Sequence, residues 1–441
     1  MKIKGLSIKN SELVVLTQNV LVIVVLIGLC YGFQVAAMPD SFVIFIDIMI
    51  IGIVTVLLIA QFSSFELSEF QRFVILAGYL IRLLVMLIDI YASDYITILH
   101  SGDDTIGFYN IASQIFETGS AERSSSYTVI LSKFFMIFGQ NRLLAQYVNV
   151  LCYVATLIVI LCTANKFQIE RKCKTWVLAF LSLMPNYICL SSILLRESFM
   201  IFADVLAVYC FICWMMEDKI TYFILAFVSA LPAIILHSVS IGLWVSFLFI
   251  GFLWDGKRKR VSFNNRSILF VMIAVGIVMV FEMVPALRNL LMLYFPSDLS
   301  VNSLTMRYFE DGGSDYLRFV TINTWGQFYF WSIIKAIYFI LSPMPTDWRG
   351  LGDMAAFVMD SVPIIVMSAG IVRGMRHNSN IRYVWAGIIN CLVIVGIFAW
   401  GVSNAGTAMR HRALLIGIFA LTYVISKSGR EHEYKKNHTR E

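Results

Sequence analysis

Long runs of apolar residues separated by short polar segments are the dominant pattern along this chain. A helix needs about 20 apolar residues to cross the hydrocarbon core of a bilayer. The seventh and eighth runs are short and meet at His237, so we expect this pair to be bent or broken. The pattern predicts twelve membrane-spanning helices, at residues 13–34, 42–61, 72–90, 144–164, 175–194, 197–216, 220–236, 239–254, 267–285, 354–372, 383–400 and 412–427.

The distribution of Lys and Arg predicts the orientation, because basic residues concentrate in the cytoplasmic loops of membrane proteins. With the N-terminus inside, the inside segments carry 22 of the 34 basic residues, although the outside segments are together much longer. The sequence KRKR at 257–260 and the basic tail at 427–441 then lie in the cytoplasm. The pattern therefore indicates an even number of spans, with both termini inside.

Two outside segments are long, at about 91–143 and 286–353, and long loops in a compact protein are usually functional. Within the second, the apolar stretch 328–341 is too short to span and contains Lys335, so we expect an interfacial helix on the outer side. The sequence PMP at 343–345 should end that helix. The predicted fold is an all-α polytopic transmembrane bundle, with residues 1–441 forming one integral membrane domain.

Composition agrees with this interpretation. Hydrophobic residues make up 59% of the 441 residues and charged residues only 14%, which is too few charges to cover a soluble or disordered chain of this size. The net charge of +6 comes from short loops between apolar runs, so a nucleic-acid partner is excluded. Cys210 and Cys213 form a C-x-x-C pattern inside a predicted span, where we interpret them as packing residues.

The first long loop contains two adjacent carboxylates, Asp103 and Asp104, in the sequence HSGDDTIGFYN, with Tyr109 slightly further along. Such a pair near a membrane surface can act as a general base or bind a divalent cation through oxygen ligands. The alternative is a solvated turn at a helix start, where Asp is common. The pair is our candidate for the catalytic residues and for any metal site, with Tyr109 in support.

Arg196 and Glu197 interrupt an otherwise continuous apolar run from 175 to 216. Ionisable groups inside a membrane are costly and are usually functional. The guanidinium fork of Arg matches two phosphate oxygens. We therefore expect Arg196 to bind phosphate and Glu197 to support it; the alternative is an interfacial pair that marks a turn.

The last outer loop, SNAGTAMRHRALL, carries Arg410, His411 and Arg412 at the entrance to the final span. In the predicted topology these basic groups lie on the outer side of the membrane, whereas basic residues usually concentrate on the cytoplasmic side. An anionic ligand such as a lipid phosphate or pyrophosphate would explain their position. The alternative is snorkelling of the side chains toward lipid headgroups.

Two further residues are candidates for supporting roles. His237 follows a short span; packing is the favoured interpretation, and proton transfer or phosphate binding is the alternative. Arg307 lies in a polar segment, 306–319, that contains Gly312 and Gly313 and is expected to be flexible. This segment would cover an acceptor sugar, or would be only a solvated loop.

The stretch from Gly102 to Met216 resembles the N-terminal half of GT-C type membrane glycosyltransferases and of the related polysaccharide polymerases. In that pattern an acidic outer loop is followed by a segment that begins with Tyr and ends with Gly, here YTVILSKFFMIFG at 127–139. Next comes a segment that begins with Arg and ends in NVL as it enters a span, here residues 142–151. A proline and then an acidic residue at the start of the next span follow, here Pro185 and Glu197. PMPTDW at 343–348 and NAGTAMRHR at 404–412 are similar to segments of bacterial sugar-transfer membrane proteins. Three predicted spans, not one, precede the acidic loop, which leaves room for an O-antigen or capsule repeat-unit polymerase.

The resemblance implies a polyprenyl-phosphate or polyprenyl-pyrophosphate sugar donor, a saccharide acceptor and transfer on the outer face of a bacterial cytoplasmic membrane. It places the loop carboxylate of that family on Asp103 or Asp104. Proteins of polysaccharide assembly are the expected partners besides the bilayer. A flippase or other transporter of lipid-linked saccharides is the alternative, and a non-catalytic scaffold is a third possibility.

Overall fold

The computed structural model describes residues 40–255, 258–261, 265–284, 314–317, 320, 322–376 and 378–428. Nearly all regular structure in these residues is helical, and the single sheet among them is a two-residue hairpin, β1 Trp254–Asp255 with β2 Arg260–Val261. The chain, predicted as one membrane domain, forms two compact units, Met1–Phe199 and Met200–Glu441. The predicted span at 13–34 lies outside the described residues.

In the part of the first unit that the structure describes, the chain forms seven helices and the start of an eighth, which ends within the residues of the second unit. They are α1 Asp40–Ser63, α2 Glu69–Tyr91, α3 Asp103–Thr118, α4 Ser126–Phe138, α5 Arg142–Lys166, α6 Arg171–Leu183, α7 Pro185–Leu190 and α8 Glu197–Glu217.

Helix α2 is fixed at its start by a reciprocal cap and then packs on α5 and α6. The Ser68 hydroxyl accepts a hydrogen bond from the Gln71 amide, and the Gln71 side chain accepts one from the Ser68 amide. The Gln71 side-chain amide also donates to the Thr175 hydroxyl at 2.9 Å, which joins α2 to α6. At Gly78 a Cβ would lie 2.7 Å from Ser182 Cβ, so only glycine allows this approach.

The predicted span at 175–194 is wrong as a single helix, because the chain is broken between α6 and α7. Pro185 has no amide hydrogen to donate and begins the short helix α7. Arg82 of α2 is fully buried beside this break, and its guanidinium donates to the Ser182 and Leu181 carbonyls at 2.8 and 3.0 Å. The last carbonyls of α6 are therefore satisfied by a side chain from α2.

The first long loop is folded into the helix pair α3 and α4, which pack tightly on each other. An apolar cluster joins this pair to the rest of the unit. Its fully packed members are Ala112, Leu131, Phe135, Ala145 and Leu194. The segment that carries the candidate carboxylates is therefore an ordered part of the first unit.

The second unit contains the remainder of α8 and nine further helices among its described residues. They are α9 Ile220–Leu236, α10 Ile241–Leu253, α11 Asn265–Met283, α12 Trp325–Leu341, α13 Leu351–Ala356, α14 Val362–Met375, α15 Ile381–Gly401, α16 Ala405–Arg412 and α17 Leu414–Ser426.

Helix α15 is central to the packing of this unit and contacts α10, α12 and α17. A Cβ at Gly387 would lie 2.2 Å from the Thr422 hydroxyl, so α15 and α17 approach each other closely through a glycine. On another side of α15, the buried Asn390 side chain accepts a hydrogen bond from the Ser246 hydroxyl of α10. A five-residue π-helical stretch, Phe357–Ser361, links α13 to α14.

Two predicted features of the second unit are confirmed. The chain is extended at His237, between α9 and a short 3₁₀ turn Ser238–Ser240, so the two short apolar runs are separated by a break. Helix α12 ends at Leu341, two residues before Pro343 of the PMP sequence. Between α16 and α17 the axis bends by 46°, so the last predicted span has a bent entrance.

Within the described residues, six helices are long and apolar enough to cross a membrane, and the bent pair α16–α17 would make a seventh. They correspond to the predicted spans at 42–61, 72–90, 144–164, 197–216, 354–372, 383–400 and 412–427. Many apolar side chains on these helices are exposed, as at Val56 and Phe73, each 65% exposed, which is typical of a lipid-facing surface. The chain is therefore an all-α membrane protein; the count of twelve spans stays a prediction.

Candidate functional site

Asp103 and Asp104 form the first turn of α3, and both side chains are exposed. The preceding Gly102 has a φ of 139°, a conformation that L-residues rarely adopt, and it lets the chain turn sharply into the helix. Two carboxylates at a helix N-terminus interact favourably with the helix dipole. The helix-start alternative therefore describes their local structure, and their solvent exposure leaves them accessible to a substrate.

The buried carboxylate of Asp89 fixes the segment that leads into Asp103 and Asp104. It accepts hydrogen bonds from Arg142 Nη2 at 2.9 Å, from Gln146 Nε2 at 2.8 Å and from the Ser101 hydroxyl. Ser101 precedes Asp103 by two residues, so the network ties the start of α3 to α2 and α5. Arg82 and Asp89, seven residues apart on α2, are each bound by groups of other helices.

Tyr109 positions α3 against α4. Its hydroxyl donates to the Gln140 carbonyl at 3.1 Å, and its ring meets the edge of Phe135 at 5.5 Å. These contacts are structural, and they keep the helix that begins with Asp103 in place.

Arg196 and Glu197 lie at the junction where α8 begins. Asn149 of α5 donates to the Ile193 and Leu195 carbonyls at 2.7 and 2.6 Å, which fixes the turn just before Arg196. Glu197 is 1% exposed, and Arg196 is half-buried. The first unit thus contains the predicted carboxylates and one predicted phosphate ligand, each held by contacts from α5 or α4.

In the second unit, Arg412 is buried at the end of α16 and is bound by neighbouring groups. Its guanidinium pairs with the carboxylate of Asp360 and donates to the Ile340 and Ser342 carbonyls. Arg412 and Asp360 are each 1% exposed. Because these donors are occupied within the protein, Arg412 fixes the position of α16 in this structure, and its predicted contact with phosphate stays untested.

The other two residues of the cationic group lie on the same turn. His411 is half-buried, and its ring stacks on Phe398 at 4.9 Å and lies 5.2 Å from the ring of His237. Arg410 is also half-buried. The structure therefore brings His237 and His411 together, as no pattern in the sequence had indicated. Arg307 lies outside the described residues.

A cavity of about 250 Å³, lined by both polar and apolar groups, lies in the second unit. The two segments singled out in the sequence, 343–348 and 404–412, both contribute to it, together with the strand-like residues 314–316. Its lining residues are Ser314, Asp315, Tyr316, Ser342, Pro343, Asp347, Arg349 and Ala405. Burial raises the pKa of the Asp347 carboxyl above its usual value of 3.8, against smaller opposite effects of Thr346 and Arg349.

The PMPTDW segment stands out in the sequence, but no role for Asp347 is evident from it. Its surroundings in the sequence could have identified Asp347. It lies between two turn-forming prolines and an aromatic residue, in a predicted outer loop that follows an apolar helix. The Asp89–Arg142 pair was missed for another reason: the two residues are 53 positions apart and meet only through the packing of α2 on α5.

Among the described residues, no group of three or more His, Cys, Asp or Glu side chains is placed to hold a metal ion. The two carboxylates at 103 and 104 are thus joined by no third such ligand in that part of the chain. Metal binding by this pair stays a prediction.

Comparisons of the chain with protein-family models, with curated proteins and with solved structures find no match.

Proposed function

We propose that this protein is a membrane glycosyltransferase that transfers a sugar or an oligosaccharide from a polyprenyl-phosphate or polyprenyl-pyrophosphate donor to a saccharide acceptor. The observation that carries the proposal is the arrangement on α16. Arg410 and His411 lie half-buried on the turn that the buried Arg412–Asp360 pair anchors. Cations held on a fixed turn suit an anionic leaving group, because little reorganisation is needed as its charge develops.

The membrane arrangement is part of the proposal. We place both termini in the cytoplasm, with twelve spans, and the loops at 91–143 and 286–353 on the outer side of a bacterial cytoplasmic membrane. The charge distribution supports this orientation, and the candidate residues then lie on the outward-facing loops. Helix α12 is an interfacial helix in this arrangement.

The proposed reaction forms a bond between an acceptor hydroxyl oxygen and the anomeric carbon of the donor sugar. The bond between that carbon and the lipid phosphate oxygen breaks, and its electron pair leaves with the polyprenyl phosphate or pyrophosphate. In the first unit, Asp103 or Asp104 is assigned to take the hydroxyl proton and Arg196 to bind phosphate. In the second unit, Arg410 and His411 are assigned to stabilise the charge of the leaving group. Arg412 positions α16, and His237 supports His411.

The experiment replaces both Asp103 and Asp104 with Asn. Because both side chains are exposed on the first turn of α3, we expect normal membrane expression and loss of polysaccharide elongation in a strain that depends on this protein. The control is Glu122→Gln, which removes an exposed negative charge from the segment between α3 and α4 and should leave elongation intact. Full elongation by the double Asn variant would refute the assignment of these carboxylates.

A transporter of lipid-linked saccharides is the second candidate, and one observation favours it. Asp204 of α8 is fully buried, and of its two oxygens Oδ2 accepts from the Ser240 hydroxyl at 3.3 Å, while Oδ1 has no hydrogen-bond partner among the described residues. Ser240 lies in the break that follows His237. Broken helices that meet a buried ionisable group are typical of transporters.

A further inference from the structure

The cavity in the second unit has the size of a site for one small polar molecule. Its volume of about 250 Å³ equals the liquid volume of about eight water molecules at ~30 Å³ each. Sites for drug-sized ligands begin at about 300 Å³. The cavity therefore suits a single ring with its hydroxyl groups, and an oligosaccharide would extend beyond it.

The lining selects for an uncharged ligand that is rich in hydroxyl groups. Two carboxyl groups, Asp315 and Asp347, and one guanidinium, Arg349, line the cavity, and Arg349 Nε and Nη2 already contact Asp353. This balance disfavours a phosphate, because like charges repel in a site of limited solvent access. Carboxylates and a guanidinium are good partners for sugar hydroxyls, which both donate and accept hydrogen bonds.

Asp347 contains an acceptor atom that the protein itself does not use. Its Oδ2 is shielded from solvent and has no hydrogen-bond partner among the described residues. A buried acceptor without a donor costs free energy, and a ligand hydroxyl would remove that cost. The raised pKa of this carboxyl has the same origin, since burial disfavours its charged form.

The frame of the cavity is built before any ligand arrives. Residues 314–316 pair with the start of α16, where the Tyr316 amide donates to the Ser403 carbonyl at 2.8 Å and the Ala405 amide to the Ser314 carbonyl at 3.0 Å. On the opposite segment, the Trp348 indole donates to the Pro343 carbonyl at 3.1 Å. A preformed site loses little conformational entropy on binding.

We propose that this cavity binds one sugar ring of the saccharide acceptor, with Asp347 accepting hydrogen bonds from its hydroxyls and Arg349 donating to them. The identity of the ligand as a saccharide rests on the proposed function; its uncharged, hydroxyl-rich character rests on the lining. The assignment adds a specificity-determining carboxylate that is separate from the pair proposed to take the acceptor proton.

The test is equilibrium binding to the purified full chain in nanodiscs, without any lipid-linked donor. The probes are methyl glucoside, methyl galactoside and the methyl glycoside of N-acetylglucosamine, and the readouts are calorimetry and tryptophan fluorescence, since Trp348 contacts the cavity wall. We expect at least one probe to bind and Asp347→Asn to weaken it at least tenfold. Affinity should fall as the pH is lowered through the raised pKa of Asp347, because protonation removes the charged acceptor.

Two further variants make the result decisive. Ala405→Met keeps all charges and fills the cavity, so it should abolish binding even if Asp347→Asn affects folding. Asp255→Asn, in the β1–β2 hairpin, should bind like the unaltered chain, because Asn can still accept the hydrogen bond from the Arg258 amide. Thermal unfolding of each variant reports whether it is folded.

Failure of all three glycosides to bind would overturn the inference, as would equal affinity in Asp347→Asn or competition by inorganic phosphate for the same site. A chain that binds a glycoside at this cavity but transfers no sugar would contradict the proposed function alone. A chain that transfers sugar and shows no binding here would contradict only this inference.

Discussion

Arg412 and Asp360 show how a pair of opposite charges is accommodated in an apolar interior. Both side chains are 1% exposed, and Nη1 of the guanidinium donates to the Ile340 and Ser342 carbonyls at the end of α12. Two isolated charges would be too costly to bury, whereas a pair with these additional hydrogen bonds is tolerated. The position of α16, and with it of Arg410 and His411, therefore depends on this pair.

Arg412→Ala should lower the free energy of unfolding by about 3–5 kcal/mol, because Asp360 would be left as a buried charge without its partner. Unfolding of the purified protein in detergent measures the effect. Adding Asp360→Asn to the variant should restore part of the loss, since no uncompensated charge then remains.

Lys219→Ala is the matched control, because it breaks an exposed ion pair with Glu217 at 2.8 Å and should cost at most ~1 kcal/mol. Equal losses in the Arg412 and Lys219 variants would show that the buried pair has no special structural role.

At the residue scale, sequence reasoning identified ionisable positions more reliably than it identified their partners. The interruption of an apolar run marked Arg196, Glu197 and the group at 410–412 as unusual. The pairing of Arg412 with Asp360 depends on helix packing across 52 positions, and no local pattern encodes it. For the same reason, the sequence did not indicate that the unassigned Asp347 lines a cavity.

Helix α2 illustrates the element scale, because a glycine and an arginine together determine how closely it packs. Gly78 lies against Ser182 of α6, and Arg82, one turn later, donates to carbonyls at the end of the same helix. The length of the apolar run predicted one continuous helix at 175–194. The break at Pro185 is stable because the Arg82 guanidinium donates hydrogen bonds to carbonyls at the end of α6. The chain beyond the break does not supply these donors.

Gly78→Ala should lower the free energy of unfolding by about 1–3 kcal/mol, because the added Cβ would lie 2.7 Å from Ser182 Cβ and 2.8 Å from its carbonyl oxygen. The control is Gly52→Ala in α1, where nothing lies within 4 Å of the new Cβ. This control should stabilise the protein by up to about 1 kcal/mol, because alanine reduces the conformational entropy of the unfolded chain. The account of this contact would be wrong if both variants shifted stability in the same direction.

At the scale of the whole molecule, the membrane character follows directly from composition and from the length of the apolar runs. The number of spans does not follow so easily, because apolar helices such as α9 and α10 are too short to meet the length expected of a span and are separated by the break at His237. Run length records how apolar a segment is, whereas a break depends on which polar groups the surrounding helices supply.

For the candidate site, too, the sequence indicates some features, and others depend on tertiary packing. Loop length and charge predict an outward location for it, and the acidic and cationic segments were recognisable in the sequence. The cavity required residues 314–316, 342–349 and 405 to meet, which only tertiary packing achieves. Whether these groups perform sugar transfer is tested only by an assay that follows the formation of a glycosidic bond.

The most direct measurement uses the purified protein in proteoliposomes with a synthetic polyprenyl-pyrophosphate oligosaccharide. Mass spectrometry then follows the saccharide, and a reagent that reaches only the outer leaflet follows the lipid. The account predicts longer saccharides and release of polyprenyl pyrophosphate in equal amounts. Movement of the lipid-linked saccharide between leaflets without any new glycosidic bond would contradict the account and favour a transporter.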